Sequence, residues 1–259
     1  MEPAISPPIF SVLLLLGMLL MLEIGRRIGI RRRPKETEGE RGSLGTIEGA
    51  VFALFGLVVA FSFSGAASRF NEKRELIAVE ANCIETAYLR VRLVAQAAQP
   101  ELQDLFRRYT DSRLDTYSKL PDLVAAQKEM AISRDLQREI WARAISASQL
   151  PDSHADAGKL LLPALNEMID ITTTRAMAIQ THPPNIIYGL LFFLALICSL
   201  LAGYRMSAGK QHSWLHIISF AMITVLVIFV IIDVEYPRVG LIRLESFDQV
   251  LVDVRAGMN

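Results

Sequence analysis

The chain has 259 residues, of which 52% are hydrophobic and 21% charged, and its mean hydropathy is +0.33. Apolar blocks set among strongly polar ones are typical of a membrane protein with an extramembrane part, so collagen, long disordered tails and a purely soluble enzyme are excluded. Basic and acidic residues number 27 each, which leaves no basic excess to neutralise a nucleic acid backbone, and no nucleic acid partner is expected.

Four apolar segments are long enough to cross a hydrocarbon core, which takes about 20 helical residues. They cover residues 5–25, 49–68, 185–204 and 213–232. No basic residue precedes the first segment, and its end carries Glu23, Arg26 and Arg27 instead of a small-residue cleavage site. It is therefore predicted to be a retained span and not a signal peptide.

Basic residues near the spans predict the orientation of the chain. The linker between spans one and two carries Arg26, Arg27, Arg31, Arg32, Arg33, Lys35 and Arg41. The linker between spans three and four adds Arg205 and Lys210. Short cytoplasmic loops are enriched in Lys and Arg, so both termini and residues 69–184 are expected to be non-cytoplasmic. The basic residues directly after span two favour the opposite orientation; they are Arg69, Lys73 and Arg74.

The polar block at residues 69–184 shows the three-to-four spacing of apolar residues that forms a helical face. No Gly or Pro separates it from span two, so span two is predicted to continue as one helix to about Ala97. Prolines mark the later helix boundaries: Pro100 and Pro121 fit helix starts, Pro151 with Asp152 and Ser153 fits a break, and Pro163 fits a start or a kink. No period-two alternation occurs, so no sheet is expected.

These features predict an all-α membrane protein with four transmembrane helices and a helical extramembrane domain inserted between spans two and three. The expected parts are spans one and two with the basic linker (1–68), the helical domain continuous with span two (69–184), spans three and four (185–236) and an amphipathic C-terminal segment (237–259). In this last segment, Ser246 and Gln249 fit a capping box. A surface-seeking helix would carry more Lys and Arg, so the segment is expected to pack on the helical domain.

Span two is the most patterned segment of the chain. Small residues recur on one face, where they would let helices approach closely in lipid; they are Gly49, Ala53, Gly56, Ala60 and Ser64. A neighbouring face carries a larger set: Glu48, Phe52, Phe55, Val59, Ser62 and Phe63. One interpretation is that these side chains face lipid or another span. The other is that they line a pore, with an apolar constriction that gates by dewetting and Glu48 at one mouth.

The remaining motifs do not indicate catalysis or a metal site. His212 and His216 have a metal-compatible spacing, but no carboxylate or thiol is near them in sequence, so ordinary interfacial histidines are expected. The Ser-x-x-Lys pattern at 207–210 lacks its companion elements. Asp233 and Glu235, at the end of span four, are expected to be hydrated at the interface. Neither a cofactor nor an enzyme activity is predicted.

Several stretches resemble a bacterial membrane-protein family that is labelled bestrophin-like and has no established function. The similar stretches are 45–56, 61–66, Glu80-Ala81-Asn82, 86–90 and 243–258. The resemblance implies a four-span protein of the bacterial inner membrane with a large helical insertion between spans two and three. True bestrophins are pentameric anion channels whose second span lines the pore with apolar and aromatic residues, and Phe52, Phe55, Val59 and Phe63 are similar in character.

Two functions are suggested as hypotheses. The first is a homo-oligomeric ion channel with span two lining the pore, whose partners are the lipid bilayer, further copies of the chain and small inorganic ions. Glu48 at the pore mouth would then favour cations. The second is a non-conducting membrane scaffold or sensor whose helical domain binds a partner.

Overall fold

The computed structural model describes residues 7–119, 122–207, 214–237, 241–242 and 244–258. Within these residues the secondary structure is helical and contains no strand. The helices are α1 (Pro7–Arg32), α2 (Glu38–Arg90), α3 (Gln99–Ser118), α4 (Leu123–Ser148), α5 (Ala157–Gln180), α6 (Asn185–Met206), α7 (Trp214–Glu235) and α8 (Gln249–Ala256). Four helical stretches of the described chain are long and apolar enough to cross a membrane. The protein is therefore an all-α membrane protein, as predicted.

The second span does continue as one helix. α2 has 53 residues, and it ends at Arg90, seven residues before the predicted end near Ala97, where the backbone tightens into short 3₁₀ turns. The chain divides into two compact units, one formed by residues 1–68 and 182–236 and the other by residues 69–181 and 237–259. We call them the membrane unit and the helical unit.

The membrane unit is built around α1, which packs against both α6 and α7. Its buried core consists of apolar residues from these three helices: Leu14, Met18, Leu22, Ala195, Ile217, Ala221, Val225, Ile228 and Ile232. Such a core needs no hydrophobic effect inside lipid, where close van der Waals packing holds helices together.

Glycines bring α1 and α6 into close contact. A Cβ atom added at Gly203 would lie 2.9 Å from the Cα of Leu22, and one added at Gly25 would lie 2.9 Å from the backbone nitrogen of Tyr204. Real Cβ atoms essentially never approach heavy atoms so closely. Only glycine fits at these two positions, and the backbones therefore touch.

The helical unit has a core of its own, formed by the second half of α2 with α3, α4, α5 and α8. Large members of it are Ile84, Phe106, Tyr109, Ile140 and Leu165, all of them fully buried. The apolar periodicity of the polar block therefore marks the inner faces of these helices.

The prolines mark helix boundaries in most of the predicted places. Pro100 lies in the first turn of α3, and α4 ends at Ser148, before Pro151. Pro163 lies inside α5, which begins six residues earlier at Ala157. Pro121 lies outside the described residues; α4 begins just after it, where Asp122 caps the helix by accepting hydrogen bonds from the backbone N–H groups of Val124 and Ala125, each at 3.0 Å.

The C-terminal segment packs on the helical unit, as expected. α8 contacts α3, and Leu251 is fully buried in the core of the unit. The predicted capping box of Ser246 and Gln249 is wrong, because α8 starts at Gln249 with Asp248 at the N-cap and no side-chain cap bond. Gln249 is already in the helix and donates instead to Asp253 Oδ1, one turn later, at 2.9 Å.

Candidate functional site

The membrane-spanning half of α2 makes few contacts within the protomer. Only 11% of its most apolar stretch is buried, against 44% for α7. The contacts that it does make lie on one side. Phe52 meets Phe220 of α7 edge-on at 6.2 Å between ring centroids, and Phe55 packs against the core of α1, α6 and α7. The other side of α2 is open.

The open side carries the small residues that the sequence placed on one face. Gly49, Ala53, Gly56, Ala60 and Ser64 are all exposed. A Cβ atom added at Gly49 or Gly56 would meet nothing within 4 Å. Unlike Gly25 and Gly203, these two glycines are therefore not required for packing inside one protomer. We call this exposed face the small-residue stripe.

The six predicted pore residues divide between the two sides of α2. Phe52, Phe55, Val59 and Ser62 are partly buried toward the protomer, whereas Phe63 is 47% exposed beside the small-residue stripe. A second exposed aromatic, Phe61, lies elsewhere on the helix, in a bulky apolar strip with Leu54 and Leu57. The sixth residue, Glu48, is buried and paired.

Glu48 is held by an arginine of α6. Arg205 donates from Nη1 to Glu48 Oε2 at 3.2 Å, and the carboxylate side chain is only 9% exposed while the arginine is 62% exposed. Both terminal guanidinium nitrogens would lie 3.8 Å from a Cβ added at Gly45, one helical turn before Glu48. A Cβ at Gly45 would therefore make only an ordinary van der Waals contact with the guanidinium. Arg205 is thus the more exposed partner of this ion pair.

The helical unit contains a buried ionic cluster. Glu80 is fully buried and accepts from Arg113 Nε at 2.5 Å and from Arg175 Nη1. The guanidinium of Arg175 also lies over the ring of Tyr117, at 3.9 Å from its centroid, and 3.9 Å from Asp248 Oδ1. We call these five residues the Glu80 cluster.

Electrostatics within the cluster keep Glu80 ionised. Burial alone would raise the pKa of Glu80, but the two guanidinium groups hold it below its usual value of 4.5. Burial and the Glu80 charge both raise the pKa of Tyr117, which stays neutral. The two cationic partners therefore keep this buried carboxylate ionised.

Sequence similarity identifies the family. A family model described as a Bestrophin-like domain matches residues 12–246. The chain belongs to the bestrophin-like family. The bestrophin-like fold is also found in crystal structures of a bacterial bestrophin homologue from Klebsiella pneumoniae carrying single substitutions. One of these structures is 14% identical in sequence, with a TM-score of 0.67, and the match covers 98% of this chain and 100% of that chain. A second structure is 15% identical, with a TM-score of 0.63, and the match covers 94% of this chain and 98% of that chain. No curated protein matches significantly.

Two acidic residues of the bestrophin-like chain differ from expectation. Asp233 and Glu235 were expected to be hydrated at the end of span four, but both are only 1% exposed. Glu235 Oε1 lies 3.1 Å from His182 Nδ1, and the His182 ring stacks on Tyr236 at 4.5 Å between ring centroids. Partners supplied by folding therefore replace water around these carboxylates.

Sequence reasoning missed Arg205, Arg113 and Arg175 as partners of buried acids. The resemblance did include Glu80, but the two arginines lie 33 and 95 positions away from it. Among the weaker motifs, His212 and most of the Ser-x-x-Lys pattern lie outside the described residues. The part of the chain that is described holds no group of three or more His, Cys, Asp or Glu residues able to bind a metal ion.

Proposed function

We propose that the protein is a homo-oligomeric ion channel in which α2 lines the pore. The observation that carries this proposal is the open side of α2, a membrane-spanning helix with only 11% of its most apolar stretch buried in the protomer. Small residues in lipid favour close approach of another helix. Further copies of the chain, arranged around an axis, would cover this side of α2.

In the proposed pore, Phe63 narrows the path. Its exposed ring projects beside the small-residue stripe, and a ring of such side chains around an axis forms an apolar constriction that resists wetting. Phe52 and Phe55 support α2 from the protomer side, through their contacts with α7 and the α1–α6–α7 core. Val59 and Ser62 are partly buried on the same side of α2 as Phe52 and Phe55.

The charge at one mouth comes from the pair of Glu48 and Arg205. A ring of bare Glu48 carboxylates would favour cations, but each carboxylate is paired with a guanidinium that is the more exposed partner. In the proposed channel the ring has little net negative charge. Replacing Glu48 by Gln removes one negative charge per copy of the chain at this mouth and shifts selectivity toward anions.

Ion flux into liposomes containing the purified protein tests the proposal. Phe63→Ala should widen the constriction and raise the flux several-fold, because a smaller ring wets more readily. Phe61→Ala is the matched control, since Phe61 is 70% exposed on the same helix but on the bulky apolar strip. It should leave the flux unchanged. Chloride- and potassium-sensitive dyes in the liposomes report which ion passes.

The same experiment distinguishes the scaffold hypothesis. A scaffold or sensor would show no flux in the wild type, in the Phe63 variant or in the Phe61 variant, while the protein remains folded. That result would overturn the channel proposal. Equal increases from both substitutions would place the constriction elsewhere than Phe63.

A further inference from the structure

An exposed apolar strip on α1 leads directly into two arginines. Ile9, Leu13, Leu16 and Leu20 are between 50% and 59% exposed. At 3.6 residues per turn, these four side chains and those of Arg27 and Arg31 lie within roughly 60° of the helix circumference. One face of α1 therefore changes from apolar to basic along its length, and we call it the α1 strip.

The transition from apolar to basic residues on α1 lies at the level where a bilayer passes from acyl chains to phosphate groups. The predicted span ends near Gly25, and Arg27 and Arg31 follow it by two and six residues. At about 1.5 Å per residue, they lie roughly 3 and 9 Å beyond it. The headgroup layer extends about 5–8 Å beyond the hydrocarbon core on each side, and long arginine side chains reach toward it.

The acidic residues near Arg27 and Arg31 do not fully neutralise these two arginines, which can therefore bind an anion. Glu23, one turn earlier, accepts from Arg26 at 2.8 and 2.9 Å and from Arg27 Nε at 2.7 Å. Arg27 is nevertheless 72% exposed, and Arg31 is exposed without an ion pair to any described residue. Two nearby acids are already engaged: Glu36 accepts from Tyr204, and Glu40 from Thr37 at the start of α2.

We propose that Arg27 and Arg31 bind the phosphate group of an anionic phospholipid whose acyl chain lies along the apolar part of the α1 strip. Charge complementarity selects the headgroup, and the continuity of the strip selects a lipid over a soluble anion. Basic clusters beside a membrane span recognise anionic headgroups in this way. The proposal does not depend on ion conduction.

Binding of fluorescent phosphatidylglycerol to the purified full chain in detergent measures the interaction. The double variant Arg27→Gln/Arg31→Gln should weaken binding by roughly fivefold for each arginine, and added salt should narrow the difference from the wild type. Arg134→Gln/Arg138→Gln is the matched control. Those two arginines are also exposed and four positions apart, on α4 of the helical unit, and their loss should leave lipid binding unchanged.

Further binding measurements distinguish an anionic phospholipid from other ligands. Fluorescent phosphatidylcholine should bind much more weakly than phosphatidylglycerol, and inorganic phosphate should not displace the lipid. Arg27→Lys/Arg31→Lys keeps both charges and should retain most of the binding, which distinguishes recognition from a folding defect. Equal binding of the two lipids, displacement by free phosphate, or unchanged binding by the Gln variant would each overturn the proposal. Absence of binding by the wild type would also do so.

Discussion

At the scale of single residues, the buried charges are the least predictable part of this protein. Glu80 and its partners Arg113 and Arg175 come from α2, α3 and α5, so their proximity depends on how three helices pack. Hydrophobic periodicity tells which face of a helix is buried, but it does not tell which polar residue on that face meets another. For the same reason Glu48 was expected at an open mouth and is found beside Arg205.

Glu80→Gln should strongly destabilise the protein. The substitution leaves two buried guanidinium groups without their carboxylate, and breaking a buried ion pair in this way costs about 3–5 kcal/mol. Asp111→Asn is the matched control, because the ion pair of Asp111 with Arg255 is partly exposed, at 51% and 26%, and such pairs contribute about 0–1 kcal/mol. Thermal unfolding in detergent compares them. Similar melting temperatures for the two variants would contradict this role of the Glu80 cluster.

The contribution of Glu80 should disappear in acid. Its pKa in the folded protein lies below the ordinary value of 4.5, so its stabilising effect is present above that pH and is lost as the pH falls toward the folded pKa. The melting temperatures of the wild type and Glu80→Gln should therefore converge below pH 4.5. A constant difference down to strongly acidic pH would show that the carboxylate charge is not what stabilises the cluster.

At the scale of helices, glycines of two kinds occur in the membrane unit. Gly25 and Gly203 lie where α1 and α6 touch, whereas Gly49 and Gly56 lie on the open side of α2. The repeat of small residues made the stripe on α2 visible in the sequence. The α1–α6 contact was not visible, because a lone glycine in an apolar run shows nothing of the helix it meets until both helices are placed.

Gly203→Ala should destabilise the membrane unit itself. The added methyl group would lie 2.9 Å from the Cα of Leu22, which pushes α1 and α6 apart and removes the packing that holds them together in lipid. Gly189→Ala, on the same helix, is the control, because its Cβ would meet nothing within 4 Å. Thermal unfolding in detergent should show a clear loss for the first variant and no loss for the second. Equal stability of both would show that the close contact is dispensable.

Gly56→Leu should disrupt assembly while leaving the protomer folded. Nothing inside the protomer lies within 4 Å of the new Cβ, but a leucine on the small-residue stripe would separate α2 from a neighbouring copy. Size-exclusion chromatography with light scattering should report a smaller particle of unchanged helicity. Leu57→Phe, which adds bulk to the neighbouring exposed strip, is the control and should keep the wild-type size. An unaltered oligomer for Gly56→Leu would show that the stripe faces lipid.

At the scale of the whole molecule, the architecture could be predicted because its signals are local. The lengths of the apolar runs gave the four spans, and the absence of Gly and Pro after Gly65 gave the long α2. Pro100 gave the start of α3. Observed helix boundaries differ from the predicted ones by several residues where tertiary contacts determine them. Thus α2 ends at Arg90 and not near Ala97. In the stretch that follows it, the Leu93 carbonyl accepts a hydrogen bond from the backbone N–H of His154 at 2.9 Å.

The orientation in the membrane is a prediction for the molecule as a whole, and it rests on the basic residues near the spans. The basic residues after span two were the evidence against a non-cytoplasmic helical unit. Two of them take part in packing there: Lys73 is buried, at 8% exposure, and the Arg74 guanidinium lies 5.0 Å from the centroid of the Phe247 ring. Arg27 and Arg31, in contrast, are exposed next to span one. Basic residues of a short loop near a span tend to retain that loop in the cytoplasm.

Alkaline phosphatase fused after Gln127 in α4 should therefore be active, and a fluorescent protein fused there should be dark, because the helical unit is expected outside the cytoplasm. Fusions after Thr37, in the basic linker, are the control and should show the opposite pattern. Replacing the exposed Arg27, Arg31 and Arg32 together by Gln should weaken the orientation signal and lower the phosphatase activity of the Gln127 fusion. A bright fluorescent protein and an inactive phosphatase at Gln127 in the unmodified chain would place the helical unit in the cytoplasm.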